Sequence, residues 1–166
     1  MISTKIQSFD NQERAIARHR ELIGILISKF LPRWGHGAKP IVVRGFREIS
    51  ARGYREHLLR LGILFGDRSA LPDVVAYSEQ KNWIFLIEAV HSSGPITPIR
   101  LLELQRLAKG CTADIIFVTA FLTRDTFRKF APGIAWETEV WIADAPDHLV
   151  HFDGDKFLGP YKSRSV

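Results

Sequence analysis

The sequence predicts an α/β domain in which a mixed central β-sheet is flanked by helices. Three observations carry this prediction. Segments with helical spacing of apolar residues alternate along the chain with short β-branched and apolar runs. Hydrophobic residues make up 46% of the 166 residues, which is enough for a packed core. The run ADIIFVTAF at 113–121 is apolar almost throughout, as is typical of a strand buried on both faces of a sheet.

The first half of the chain predicts two helices with a strand between them. A helix is expected over about 10–32, because Asp10 is a candidate N-cap and the apolar residues that follow it recur at helical spacing. The β-branched run PIVVRG at 40–45 predicts a strand. A second helix is expected from a cap at Ser50 to Leu61, where a glycine follows.

The second half of the chain predicts a strand-rich region in which helices connect the strands. No internal repeat or linker interrupts it, so a single domain over 1–166 is expected. The expected elements are strands near 73–78 and 83–90, a helix from Thr97-Pro98 to Gly110, a strand over 113–121, a short helix from Thr123 to Phe130, a strand over 139–144, and a hairpin over 148–159 that turns at Asp153-Gly154.

Charge and composition narrow the partners and the compartment. The formal net charge is +5, and arginine dominates the first 68 residues. Because arginine suits bidentate contact with phosphate, this half is expected to hold a polyanion; a solvated basic face without a partner is the alternative. No apolar run reaches the ~20 residues that span a bilayer, and the N-terminus has no apolar signal region. The single cysteine, Cys111, cannot form an internal disulfide, so a reducing, cytoplasmic compartment is expected.

Two acids bracket the apolar hairpin LPDVVAYSEQKNWIFLIEAV at 71–90. A turn centred on Gln80-Lys81 sets a register in which Asp73 and Glu88 are direct cross-strand neighbours. The Cβ atoms of such neighbours lie ~4.5–5.5 Å apart, and like charges there repel each other. A divalent cation would remove the repulsion, and ligands of this kind suit Mg²⁺. The alternative is a turn cap at Asp73 and a salt bridge from Glu88 to an arginine, although a carboxylate in so apolar a strand needs a partner or a metal.

The segments from residue 71 onward resemble a known family. LPDVVAY, NWIFLIEAVHSSGPI, IIFVTAF and AWETEVWIADAPDHLVHFDGDKFLGPY are similar to the catalytic domain of the BsuBI/PstI type II restriction endonucleases, and the similarity extends over about 19–161. The resemblance implies the PD-(D/E)XK nuclease fold and Mg²⁺-dependent hydrolysis of DNA phosphodiester bonds. Enzymes of this family cut at the palindrome CTGCAG, which implies double-stranded DNA as a partner, a symmetric homodimer and a cognate DNA methyltransferase that protects the host.

The resemblance also assigns residues to the site. It places Asp73 and Glu88 on the two metal-binding acids, and through HRELIGILISKFLPRW it puts Glu21 in the role of an acid on the first helix. The superfamily usually has lysine two residues after the second acid, where this chain has Val90. Arg100 is the first candidate to supply the missing positive charge, ahead of His91 and the serines at 92 and 93. The residues expected to hold DNA are Arg44, Arg47, Arg52, Ser92 and Ser93.

A Mg²⁺-dependent DNA endonuclease is therefore the leading hypothesis. The alternative is a catalytically inactive module with the nuclease fold, which would bind DNA or a partner protein without a metal. The valine in the position of the usual lysine favours this alternative, whereas the register of the two acids favours the enzyme.

Overall fold

The computed structural model describes residues 2–46, 53–91 and 94–152, with side chains described from residue 11 onward. Among the helices of these segments, none is both long enough and apolar enough to span a membrane. The helices are α1 (Ile2–Ile25), α2 (Leu31–Trp34), α3 (Tyr54–Arg60), α4 (Pro98–Leu107) and α5 (Arg124–Phe130). The strands are β1 (Lys39–Val43), β2 (Val74–Ser78), β3 (Trp83–Val90), β4 (Asp114–Phe121), β5 (Thr138–Ile142) and β6 (Leu149–Phe152).

The strands form one mixed sheet in the order β1-β2-β3-β4-β5-β6. β1, β2 and β3 are antiparallel to one another, β3, β4 and β5 are parallel, and β6 is antiparallel to β5. Parallel neighbours need a crossover connection, and the segments that contain α4 and α5 provide the two crossovers. The predicted α/β class with a mixed sheet is confirmed. The first strand of the predicted terminal hairpin is present as β6, and the expected turn at Asp153-Gly154 and the strand after it lie outside the described residues.

Each face of the sheet has its own apolar core. On one face, Leu22 and Phe30 of the first helical segment pack with inward side chains of β2 to β5, Trp141 among them. On the other face, Leu58 of α3 and Leu104 of α4 pack with the alternate side chains of β2 and β3. All of these side chains are nearly or completely buried, and each contributes about 1.5–3 kcal/mol relative to an exposed position. The two cores hold the hairpin of β2 and β3 from both sides.

The first helix begins earlier than the sequence pattern predicts. α1 starts at Ile2, so Asp10 lies within it and is not its N-cap. Neither proline nor glycine precedes Asp10 in the chain, and the helix therefore has no stop signal there. At the other end, Leu26–Phe30 forms a π-helical turn and Leu31–Trp34 continues as α2. Pro32 has no N–H to donate within an α-helix, and the wider turn before it accommodates that loss.

The second predicted helix is shorter than expected and starts at a glycine. Gly53, with φ +76°, is the N-cap of Tyr54–Arg60, and the predicted cap Ser50 lies outside the described residues. The helix ends before Gly62, which adopts φ +81°. A Cβ atom on Gly62 would stand 1.9 Å from the carbonyl oxygen of Gly110. The chain after α3 therefore passes the end of α4 at a distance that only glycine permits.

The apolar run at 113–121 forms β4, but only its second half is buried on both faces as predicted. Val118–Phe121 is buried, whereas Asp114 is exposed and the residues between them are partly exposed. β5 pairs with β4 only along Val118–Phe121. The first half of β4 therefore lies at an edge of the described sheet, where apolar residues keep some contact with solvent.

Candidate active site

The hairpin of β2 and β3 has the register that the sequence predicts. Val74 pairs with Ile87 and Ser78 with Trp83 across the turn. One further step along the two strands places Asp73 opposite Glu88. Both acids are buried, with 3% and 4% of their surface exposed. The structure thus brings the two predicted metal-binding carboxylates together at the open end of the hairpin.

Asp73 lies at the fork where β2 and β3 stop pairing. Its Oδ2 accepts a hydrogen bond of 2.9 Å from the backbone N–H of Ala89 in β3, so the side chain replaces a backbone acceptor. Its Oδ1 lies 3.5 Å from Nε2 of His19 and 3.8 Å from Nη1 of Arg44. The buried negative charge is therefore compensated by a backbone donor and by side chains from α1 and from the end of β1.

Glu88 is held by an arginine from the following helix. The alternation of side chains along β3 directs Glu88 to the face that α3 and α4 cover. There, Nε and Nη2 of Arg100 each lie 2.8 Å from Glu88 Oε1. Burial raises the pKa of Glu88 to about 7; the nearby charge of Asp73 adds to the rise, and Arg100 opposes it. Near neutral pH, Glu88 is therefore close to half protonated unless another cation approaches.

Arg100 is fixed at the start of α4. Thr97 caps this helix and accepts a 3.2 Å hydrogen bond at Oγ1 from the backbone N–H of Arg100, and Pro98 occupies the first helical position. The guanidinium also donates to Glu103 Oε2 at 2.9 Å and to the carbonyl oxygen of Ala70 at 3.1 Å. Arg100 therefore joins α4, β3 and the loop that leads into β2, with its positive charge beside the acidic pair.

Val90, which the sequence resemblance places where lysine is usual, belongs to the core. It is 1% exposed and packs in an apolar cluster with Phe121, Val140 and Ile142. A lysine ammonium in this cluster would lose its hydration. The fold fills this space with hydrocarbon, and the positive charge reaches Glu88 from α4 instead.

No motif in the sequence assigns a role to His19, which the structure places against Asp73. His19 lies on the same face of α1 as the buried residues Leu22, Ile23 and Leu26. Its hydrogen bond with Asp73 raises the pKa of His19. Its Nδ1 is buried and has no hydrogen-bond partner within the described part of the chain. The helical spacing of HRELIGIL contains the signal that could have identified it, because that spacing turns His19 toward the sheet.

The structure does not bring Glu21 to the acidic pair. Glu21 is exposed, and it follows His19 by two residues, which is roughly 200° around an α-helix. It therefore projects from the face of α1 that points away from the sheet. The side chain that α1 contributes at Asp73 is His19, and the structure places Glu21 away from the acidic pair.

Among the residues expected to hold DNA, Arg44 lies in the described part of the chain. The others, Arg47, Arg52, Ser92 and Ser93, lie outside it. The backbone N–H of Arg44 donates to the carbonyl oxygen of Asp73 at 2.8 Å. With Ser69, Glu88 and Arg100, Arg44 lines an open pocket of about 350 Å³. This pocket gives solvent access to one side of the acidic pair.

The donor set at the pair fits a hard divalent cation. Asp73 and Glu88 offer carboxylate oxygens from two opposed chain segments, and burial, with the nearby charge of Asp73, raises the pKa of Glu88. Mg²⁺ usually binds through one or two carboxylates and keeps several waters. Within the described residues, no three His, Cys, Asp or Glu side chains gather closely enough for an all-protein site. Water or substrate would therefore complete the coordination of an ion at the pair.

Comparison with known proteins relates this chain to restriction endonucleases. It matches the BsuBI/PstI restriction endonuclease domain over residues 4–155. It is 44% identical to the type II restriction enzyme BsuBI of Bacillus subtilis over 144 residues, which cover 87% of this chain and 46% of BsuBI. It is 34% identical to the type II restriction enzyme AplI of Arthrospira platensis over 117 residues, which cover 66% of this chain and 36% of AplI.

A solved structure shares the fold. The SdaI restriction endonuclease is 37% identical and superposes with a TM-score of 0.75, over 87% of this chain and 46% of the SdaI chain. The restriction-endonuclease-like fold that the sequence predicts is therefore confirmed. The chain spans less than half the length of each of these three relatives.

Proposed function

The chain belongs to the BsuBI/PstI restriction endonuclease domain family, and from this membership we propose that it is a Mg²⁺-dependent DNA endonuclease that hydrolyses phosphodiester bonds. The observation that carries the proposal is the buried pair of Asp73 and Glu88, opposed at the end of the hairpin. Two buried acids that face each other are unfavourable by themselves, and a divalent cation relieves their repulsion.

Asp73 and Glu88 hold the Mg²⁺ in this proposal. The backbone N–H of Ala89 fixes the Asp73 carboxylate through Oδ2, and Glu88 presents the oxygen that Arg100 does not engage. When bound, the ion supplies Lewis-acid polarisation of the scissile phosphate and a more acidic attacking water. The protein contributes the orientation of both carboxylates and a buried setting that strengthens their interactions with the substrate.

In this proposal, Arg100 supplies the positive charge that a lysine usually supplies in the superfamily. Its guanidinium lies on the Glu88 carboxylate and lines the open pocket, so it can share a hydrogen bond with a phosphate that enters there. Its positive charge then offsets the charge that develops on the phosphate in the transition state. Arg44 lines the same pocket and binds a non-bridging phosphate oxygen. Neither role needs a side chain at the position of Val90.

The substrate in this proposal is double-stranded DNA, cut at a palindrome such as CTGCAG. A palindrome matches two active sites related by twofold symmetry, one for each strand, so the protein acts as a homodimer in this proposal. It works in the prokaryotic cytoplasm, where a cognate methyltransferase protects the host DNA. The support is the family membership and the two relatives from Bacillus subtilis and Arthrospira platensis, both type II restriction enzymes.

A labelled duplex that contains CTGCAG tests the proposal, next to a duplex with the same composition in scrambled order. The wild-type protein should cut with Mg²⁺ and not with a chelator, and Asp73→Asn should cut at least ~100-fold more slowly. Cleavage of both duplexes at equal rates would retain the nuclease and reject the sequence preference. Equal cleavage by the wild type and by Asp73→Asn would reject the assigned site.

A DNA-binding module without catalysis is the second candidate. It is favoured by one observation, namely that Arg100 already compensates Glu88 without a metal. Calorimetric titration with Mn²⁺ separates the two candidates. The nuclease should bind Mn²⁺ and lose that binding in Glu88→Gln, whereas a pure binding module should show DNA affinity that responds to divalent ions only through ionic strength.

A further inference from the structure

We propose that two arginines stacked on two aromatic rings beside the active site bind the sugar-phosphate backbone of the DNA. This arginine stack consists of Arg68, Tyr54, Phe65 and Arg55. The inference rests on the proposed nuclease function, because it identifies a contact with the substrate of that same site.

The four side chains form a column of successive contacts that begins and ends with an arginine. The Arg68 Cζ lies 5.2 Å from the centroid of the Tyr54 ring. The rings of Tyr54 and Phe65 stack with centroids 6.2 Å apart and an angle of 23° between their planes. The Arg55 Cζ lies 5.3 Å from the centroid of the Phe65 ring. Each guanidinium is therefore within cation–π distance of an aromatic face.

The apolar core and a capped 3₁₀ turn hold the four side chains in position. Tyr54 and Arg55 are the first two residues of α3, and both aromatic rings pack against the core between α3, α4 and the sheet. Arg68 opens the short 3₁₀ turn Arg68–Ala70, which Asp67 caps by accepting a hydrogen bond from the backbone N–H two residues later. The aromatic rings are thus held by the core, and they in turn restrict the arginines.

The arginine stack adjoins the active-site pocket. Ser69, the residue after Arg68, lines that pocket together with Arg44 and Glu88. The carbonyl oxygen of Ala70, one residue further, accepts a hydrogen bond from Arg100. The turn that carries Arg68 therefore forms part of the rim across which a phosphate would reach the acids.

Phosphate is the ligand that suits such stacked arginines. A guanidinium that lies over a ring keeps the N–H donors along its edge, and these match the oxygens of a phosphate. Because the ring already restricts the side chain, less conformational entropy is lost when the phosphate binds. Two guanidiniums at the ends of one column can contact successive positions along a nucleic-acid backbone, and such contacts carry no sequence preference.

Salt-dependent DNA binding tests the two arginines directly. The affinity for a labelled duplex is measured by fluorescence anisotropy without divalent ions and over a series of NaCl concentrations. Arg68→Ala and Arg55→Ala should each weaken binding roughly tenfold at low salt, and each should reduce the slope of log K against log salt by about 1. Lys81→Ala is the matched control, because it removes a cation that lies 5.8 Å from the Trp83 ring at the opposite end of the hairpin; it should bind as the wild type does.

Substitution of the ring separates the stack from charge alone. Tyr54→Phe keeps the aromatic face and should bind DNA as the wild type does. Tyr54→Leu keeps an apolar side chain for the core but removes the aromatic face, so it should bind several-fold more weakly with its charge unchanged. Thermal unfolding of each variant identifies any loss that comes from misfolding.

The result that would overturn the arginine stack is a wild-type affinity and salt slope in both Arg68→Ala and Arg55→Ala. A purely structural stack would give this result, with lower stability and unchanged DNA binding. The nuclease proposal is tested by a separate measurement, the cleavage of the CTGCAG duplex. It is rejected when the wild-type protein leaves that DNA uncut in the presence of Mg²⁺. The two failures are distinguishable, since one concerns affinity without metal and the other cleavage with metal.

Discussion

Two carboxylates that face each other across the hairpin have different surroundings. Asp73 receives a backbone N–H and the side chain of His19, which balance its charge. Glu88 is buried with Arg100 as its cation, and its pKa rises to about 7. The positions of both acids follow from the strand register, which is local and can be read from the sequence. The helical spacing of α1 places His19 on the face that packs on the sheet, but its contact with Asp73, like that of Arg100 with Glu88, depends on how the helix packs, which no local pattern specifies.

The raised pKa of Glu88 makes the stability of the metal-free protein depend on pH. The ordinary value of 4.5 rises to about 7 on folding, so the folded state binds the proton more tightly. The stabilisation is fully present below about pH 4.5 and is lost as the pH rises through about 7. The pKa of His19 is also raised, from an ordinary value of 6.5, so its contribution to stability is likewise lost as the pH rises above about 6.5. Glu88→Gln should flatten the fall between pH 4.5 and 7 in urea unfolding, and an unchanged profile would contradict the assignment.

Binding of a cation at the acidic pair should release the proton from Glu88. At pH 6, a group with a pKa of about 7 is mostly protonated, so each Mg²⁺ or Mn²⁺ that binds should displace close to one proton. Calorimetric titrations in two buffers with different ionisation enthalpies measure this number. Lys81→Ala serves as the control and should release the same number. Binding without proton release would show that the ion does not meet Glu88.

The charge of Arg100 should contribute to catalysis more than to folding. Arg100→Ala removes the cation that lies on Glu88, and we expect single-turnover cleavage to slow by ~10²–10³-fold. Arg100→Lys keeps the charge but cannot place two N–H donors on one carboxylate oxygen, so its rate should be intermediate. If Arg100→Ala cleaves at the wild-type rate, the positive charge at the site comes from another residue.

At the scale of the elements, the hairpin was predictable because its two strands are close in sequence and joined by a short turn. The limits of α1 were not predictable. Asp10 has the chemistry of an N-cap, but no proline or glycine precedes it to keep the helix from starting earlier. The burial of β4 was also only half correct. An apolar run predicts a buried strand, but the length over which β5 pairs with it, from Val118 to Phe121, is a property of the assembled sheet.

The contact between Gly62 and Gly110 provides a prediction at the scale of the elements. Gly62→Ala places a Cβ atom 1.9 Å from a backbone oxygen and strains a residue with φ +81°. Gly45→Ala is a matched control, because Gly45 has φ +79° and open space around it. The control should lose about 1–2 kcal/mol of unfolding free energy from strain alone. Gly62→Ala should lose a further ~1–3 kcal/mol from the clash. Equal losses in urea unfolding would contradict this account of the contact.

At the scale of the whole molecule, the candidate site combines four elements that are far apart in sequence. α1 supplies His19, the end of β1 supplies Arg44, the hairpin supplies the two acids, and α4 supplies Arg100. The sequence could identify the acids and nominate Arg100, because a family pattern and a strand register place them. The sequence pointed to Glu21 and not to His19. The resemblance assigned the role of an acid on the first helix to Glu21, but it did not take into account which face of α1 packs on the sheet.

The central claim is that the pair of Asp73 and Glu88 cuts DNA with a divalent metal. Its most direct test is the time course of cleavage, with Mg²⁺, of a supercoiled plasmid that contains the sequence CTGCAG. The wild type and Lys81→Ala should convert the plasmid to open-circular or linear DNA, whereas Asp73→Asn and Glu88→Gln should leave it supercoiled over the same period. A plasmid left intact by the wild type, or cut equally by all four proteins, would show that Asp73 and Glu88 do not form a nuclease active site.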